Sequence, residues 1–274
     1  MRREMMNFRD GSAPWMGRLL LMLIALGGGL WSAGGTSALR LLPLTAGLVL
    51  AGWFPLWEAM TTTDWAAAFA RWQQWTEEAK LPRPPYLREG TPGAQLWHAL
   101  AAARRWWQAE GSSRIGRPLR QAGLALVAGL MLSAALGALA LLMTLLFLAL
   151  TELATLWHDG HGVEEAAWLA LGEAAMPWLL GALLAGSPAS SALLHALAVA
   201  AVGTAFFTPR LTAILGVLFG GGVLIWEGHP VAAALLLLVA YPPLRFAAVP
   251  LPKAEHRRLV LPWLWLAILI IAGV

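Results

Sequence analysis

The chain has no cysteine, and only 12% of its 274 residues are charged. The first absence removes disulfides, thiolate metal sites and cysteine nucleophiles, without fixing a redox compartment. The second sets the chain apart from water-soluble domains, of which about a quarter is charged. A disordered chain, a nucleic-acid-binding domain and a water-soluble enzyme with one central core are therefore excluded. The sequence also lacks a Walker A loop, a Gly-x-Ser-x-Gly elbow and a His-Glu-x-x-His helix, so nucleotide hydrolysis and the commonest hydrolase chemistries have no visible apparatus. What remains is apolar: 59% hydrophobic residues and a mean hydropathy of +0.65. Long apolar runs between short polar breaks give an all-α, polytopic transmembrane helix bundle, a single integral membrane domain over 1–274.

The first apolar run begins at Leu19, after a flank carrying Arg2, Arg3, Arg9 and Arg18. That flank predicts a cytoplasmic N-terminus. Small residues at Ser32-Ala33-Gly34 also fit a signal-peptide cleavage point, but further spans follow, so Leu19 to Gly34 is read as a retained helix. Leu41 to Leu56 forms a second span. Ala122 to Trp157 is too long for one crossing, which needs roughly 20 residues and about 25 when tilted, so a hairpin turning near Gly137 to Ala140 is expected. Further spans are expected at Ala166 to Leu184, Ser191 to Phe207, Leu211 to Trp226, Val231 to Phe246 and Val260 to Val274, about nine in all. Between Gln121 and Pro209 there is no Lys or Arg. The charges beyond decide the count, because nine spans put Arg210, Lys253, Arg257 and Arg258 in the cytoplasm and eight put them outside. The predicted location is the bacterial inner membrane.

The one long hydrophilic segment, Met60 to Gln121, is basic and is expected to be a cytoplasmic loop with two interfacial amphipathic helices. In the first, Trp65, Phe69 and Trp72 recur at i, i+4, i+7 with Trp75 close behind, after the capping residues Thr61 to Asp64 and before the prolines at 82, 84 and 85. In the second, from Ala94 to Gln108, Leu96, Leu100, Ala103 and Trp107 form one stripe beside Arg104 and Arg105. Tryptophan prefers the headgroup layer and arginine finds lipid phosphates there. A second role is a lid over a cavity opening to the cytoplasm.

This span layout, with a large loop between spans two and three and the step Arg117-Pro118-Leu119 before the third, resembles the UbiA-type membrane prenyltransferases. The resemblance implies a UbiA-like bundle that handles an isoprenoid or quinone-type lipid, with Arg104, Arg105, Arg114 and Arg117 near an anionic head and Mg²⁺ as cofactor if the chain is catalytic. The family's two aspartate-rich motifs are missing. Between Ala101 and Arg117 the one acid is Glu110, and the second site shrinks to Thr208-Pro209-Arg210. Prenyl transfer needs several carboxylates to bridge Mg²⁺ to the diphosphate, so standard Mg-dependent transfer is not expected. Whether the chain is an enzyme stays open, a divergent prenyltransferase being the form it would take.

Other residues could carry chemistry. His158, Asp159, His161 and Glu164 could hold a metal, or form a plain polar turn between spans. Glu152, Glu173 and His195 fall inside predicted spans, where an ionisable group is costly and faces a partner, a cavity or water. They are the best intramembrane site candidates, with Glu173 and His195 expected near opposite interfaces. His195 could also bind a pigment, although no second histidine is expected on an opposing span. Glu165-Ala166-Ala167 with Gly172 is similar to the Glu-Ala-Ala loop of ATP-driven permeases, with the glycine one position late. Gly216-x-x-x-Gly220 reads as a helix-packing surface. The expected partners are the lipid bilayer, an isoprenoid, quinone or pigment ligand, and subunits of a larger membrane complex, with no nucleic acid. An accessory subunit and a transporter or permease are the alternative functions.

Overall fold

A computed structural model describes residues 14–68, 90–156, 162–208, 210–246 and 253–273. All elements among the described residues are helical. The first, α1 (Pro14–Ala38), breaks at Gly35, whose φ of 53° lies in the left-handed region that glycine enters without penalty. The chain continues through α2 (Leu42–Leu48), a widened π turn at Val49–Trp53, and α3 (Phe54–Thr62). It has then doubled back, because Trp57 of α3 reaches the same Glu173 that Arg18 reaches from the start of α1.

After the basic segment, α4 (Pro92–Trp106) is followed by a π turn at Trp107–Gly111 and then α5 (Gly116–Leu136). The turn into α6 (Ala138–Leu156) lies at Gly137, φ 111°, inside the interval expected for the hairpin. Next come α7 (Gly162–Ala170), a third π turn at Leu171–Ala175, α8 (Met176–Leu184), α9 (Ala189–Phe207), α10 (Arg210–Trp226), α11 (Pro230–Phe246) and α12 (Lys253–Ala272).

Five helical runs among the described residues are long and apolar enough to cross a membrane, the first being the bent run Trp15–Thr62. Three shorter apolar helices, Thr212–Trp226, Pro230–Phe246 and Arg258–Ala272, complete the set. Large apolar side chains such as Leu124, Met131, Leu142, Leu156, Leu215 and Leu238 point outward unpacked, which water would penalise and acyl chains would not. The chain is thus a polytopic helix bundle of an integral membrane protein.

The interior is held by close backbone approach, as expected where lipid supplies no hydrophobic drive between helices. A Cβ at Gly181 would stand 2.4 Å from the Leu26 carbonyl oxygen, and one at Gly29 would stand 2.1 Å from that of Trp178. The registers 18 to 173, 29 to 178 and 34 to 185 rise together, so α1 runs parallel to α7 and α8. Gly216 likewise meets the Ala201 carbonyl of α9, which gives Gly216-x-x-x-Gly220 its packing role. Elsewhere Trp53 stacks on Phe147 with centroids 4.4 Å apart, and its Nε1 donates to Thr144 Oγ1 at 3.1 Å.

In the basic segment, Asp64 Oδ1 accepts from the Ala67 amide at 2.9 Å, so Asp64 is the helix cap expected there. Residues 65–68 are helical, and the rest of the first amphipathic stretch lies outside the described residues. The second is α4, capped by Thr91, with Ala94, Ala101 and Trp106 buried while Leu96 and Leu100 are exposed. Ala68, Trp106 and Ile115 form a small core of their own that ties the two ends of the segment together.

Candidate ligand cavity and buried ion pair

The intramembrane charges gather at opposite ends of the parallel pair formed by α1 with α7 and α8. At the first end, Glu173 is buried at 4% exposure inside the π turn Leu171–Ala175. Proline explains that turn. Pro177 has no N–H to give the Glu173 carbonyl, and the Met176 amide bonds instead to Leu171, one residue further back than in an α-helix. Pro55 follows the π turn Val49–Trp53 at the same offset, with the Phe54 amide bonded to Val49.

Arg18 Nε donates to Glu173 Oε1 at 2.6 Å, and Nη2 lies 2.5 Å from the same oxygen but off the hydrogen-bonding line. Trp57 Nε1 donates to Oε1 as well, at 3.2 Å, and its ring covers Gly172, where a Cβ would stand 2.5 Å from the Trp57 Cη2. A void of about 20 Å³ beside Arg18 and Glu173 has room for one water and no larger ligand. Two charges removed from water here are compensated by each other and by the indole donor, which makes this a closed structural contact.

The second end is open. Ser32 at the end of α1, Trp178 of α8, Ser187, Ser191 and His195 at the start of α9, and Glu227 with His229 between α10 and α11 line a cavity of about 230 Å³. His195 Nε2 lies 2.9 Å from Glu227 Oε2, and Nδ1 lies 3.0 Å from the Ser191 carbonyl oxygen. The imidazole sits over Trp178 with 20° between the planes and 6.3 Å between centroids. Trp178 is fully buried, yet its Nε1 has no hydrogen-bond partner. The Cε3–Cζ3 edge of the same ring rests on Gly28, so the edge bearing Nε1 is turned away from α1.

Glu173 and His195 lie at opposite ends of the helix pair, and Glu173 is held in a buried ion pair with Arg18. Glu152 is exposed on α6 and makes no hydrogen bond or ion pair among the described residues. The structure does not bring Arg104, Arg105, Arg114 or Arg117 to either site. Arg104, Arg114 and Arg117 are exposed, Arg105 is half-buried, and Arg114 pairs one turn back with Glu110 at 3.7 Å. His158, Asp159 and His161 lie outside the described residues, as does the side chain of Glu164. Among the described residues no three metal-ligating side chains converge.

The larger cavity is also not beneath the basic segment. Gln121, which closes that segment, bonds to the Pro55 carbonyl near the Arg18 end, whereas the cavity is at the other. Sequence reading missed Arg18, Trp57, Glu227 and His229. Arg18 is counted in the sequence as a flanking charge, and Glu227 and His229 stand on either side of Gly228 between two expected spans. The one signal for the latter pair was two ionisable groups bracketing a glycine between apolar runs. Gly172, read as part of a permease-type loop, serves the Trp57 ring.

No family model matches the chain, and neither a curated protein nor a solved structure is similar to it.

Proposed function

We propose that the chain is a nine-span, UbiA-like inner-membrane protein that binds an isoprenoid or quinone-type lipid without performing Mg-dependent prenyl transfer. The observation that carries this reading is the cavity at His195. It lies at the ends of apolar helices, where a polar head can enter while its tail stays among lipid-facing side chains, its serines, imidazoles and carboxylate offer hydrogen bonds, and among the described residues no three metal-ligating side chains converge. The missing aspartate-rich motifs support binding over transfer. Nine crossings are supported by helix order, by the break at Gly35 and by the turn at Gly137. The positive residues at 253, 257 and 258 support a cytoplasmic N-terminus, which places the cavity at the outer face.

Purification in mild detergent from the native host, with mass spectrometry of the accompanying lipids and proteins, tests the function. A stoichiometric isoprenoid or quinone lipid, lost in His195→Ala, is expected. Stoichiometric subunits without such a lipid would replace this reading with that of an accessory subunit. The absence of native cysteine allows a direct topology test: Ser190→Cys should label from outside and Gly160→Cys from the cytoplasm. Reversal of either label would remove the nine-span topology.

A further inference from the structure

The apolar stripe of α4 is turned the wrong way for a surface that meets water. Leu96, Leu100, Ala103 and Trp107 recur at steps of three and four, which puts them on one side of the helix. The buried residues are instead Ala94, Ala101 and Trp106. Leu96 is 64% and Leu100 55% exposed, and Ala99 beside them is exposed as well. A helix that folds against its own protein buries its apolar stripe, whereas this one buries two alanines and leaves the leucines out. Water would penalise such a face, and the acyl boundary of a bilayer would cover it.

Charge selects among bilayer lipids. Arg104 follows Leu100 by one turn and is exposed. The Trp107 ring lies against Gly116, 3.9 Å from where a Cβ would stand, so the end of α4 adjoins the start of α5. In α5, Arg117, Arg120, Leu124, Val127 and Met131 are all exposed and follow one another by three or four residues, which places both arginines at the head of the outward stripe of a membrane-length helix. At a rise of about 1.5 Å per residue, Arg120 lies about 6 Å and Arg117 about 10 Å beyond Leu124 along the axis, and both side chains extend to the headgroup layer. They stand near the N-terminus of α5, where the helix dipole disfavours cations and the first turn holds no acid. Arg120 donates Nε to the Gly116 carbonyl at 3.1 Å. Of the nearby acids, Glu110 pairs with Arg114 and Glu58 accepts from Gln121 at 3.4 Å. Among the described residues no carboxylate pairs with Arg104, Arg117 or Arg120. We propose that α4 and the start of α5 form a binding surface for anionic phospholipid, with Leu96 and Leu100 among the acyl chains and Arg104, Arg117 and Arg120 on headgroup phosphates. This surface belongs to the segment that joins the bundle at the Arg18 end, away from the cavity at His195, and is independent of what that cavity holds.

The test uses the full chain in nanodiscs of mixed phosphatidylcholine and phosphatidylglycerol, with bimane attached to Leu100→Cys, the sole thiol of that variant. Phosphatidylcholine or phosphatidylglycerol carrying a nitroxide on its acyl chain, added at low mole fraction, quenches the bimane on contact. Both lipids should quench, and the phosphatidylglycerol quencher should be about fivefold more effective at equal mole fraction, the gain from one arginine at an anionic surface. Raising the salt concentration should shrink that preference. Arg104→Gln, Arg117→Gln and Arg120→Gln together should bring the two quenchers level while contact persists, and Arg→Lys at the same positions should keep the preference. The salt series with the arginines intact carries the test if the Gln variant fails to fold. No quenching by either lipid would mean that protein covers the stripe and would overturn the proposal. Equal quenching by the two lipids with the arginines intact would overturn it too, as would a preference that neither salt nor the Gln variant diminishes.

Discussion

The two ends of the α1 and α8 pair each hold one carboxylate beside nitrogen groups, Arg18 at the first and His195 with His229 at the second, and they use them in opposite ways. At one end Arg18, Glu173 and Trp57 converge on a single oxygen beside a void with room for one water. At the other, His195 and Glu227 pair on the wall of a cavity more than ten times larger, next to an indole donor with nothing to donate to. Ionisable groups inside a membrane protein are often read as functional by default. The comparison shows that room is the better guide: each end keeps one buried donor without a hydrogen-bond partner, Arg18 Nη2 at the first and Trp178 Nε1 at the second, but the Glu173 end has space for one water and the His195 end for something larger.

The largest expected effect is at the closed end. Arg18→Ala leaves a buried carboxylate without its cation and should lower stability by about 3–5 kcal/mol, read as an earlier unfolding transition in detergent. Adding Glu173→Gln to that variant should recover much of the loss, because the uncompensated charge is then gone. If Arg18→Ala unfolds like the unmodified chain, the closed end is not structural and the contrast fails.

Gly181→Val tests the packing that keeps the two ends apart. A Cβ there would stand 2.4 Å from a backbone oxygen of α1, so the helices must separate, at a cost of about 1–3 kcal/mol or more. The variant should unfold earlier, and it should lose ligand too, because Ser32 and Trp178 sit on the separated helices.

His195→Ala should behave differently. The carboxylate it leaves behind, Glu227, is more exposed than Glu173, so the expected destabilisation is below about 1 kcal/mol while bound lipid disappears. A large loss of stability with lipid retained would reverse the roles assigned to the two ends. The smallest effect is expected for Glu152→Gln, within about 0.5 kcal/mol and with lipid binding unchanged, since Glu152 is exposed and belongs to neither end.

Much of the fold was legible in the sequence because apolar run length and turn glycines are local signals. The hairpin glycine at 137, the starts of α9, α10 and α11, the Asp64 cap and the second amphipathic helix all fall within a few residues of where run length, prolines and caps place them. The site was legible in half. Glu173 and His195 stood out as charges in apolar surroundings, but each partner is set by tertiary packing across a long sequence separation: Arg18 lies before the first apolar run, and Glu227 sits in a turn after α10. The π turn around Glu173 was also hidden, because a proline such as Pro177 inside a helix can be accommodated in several ways. The basic segment joins the bundle at the Arg18 end, away from the larger cavity, and its charge gives no local signal of which end that is.

The central claim is that the closed end holds the bundle together and the open end holds a ligand. Its most direct test is lipid occupancy of the His195→Ala chain against the unmodified chain, measured by native mass spectrometry on samples matched for unfolding temperature. The account predicts an intact, folded variant with the bound lipid gone. Equal occupancy in the two proteins would contradict it.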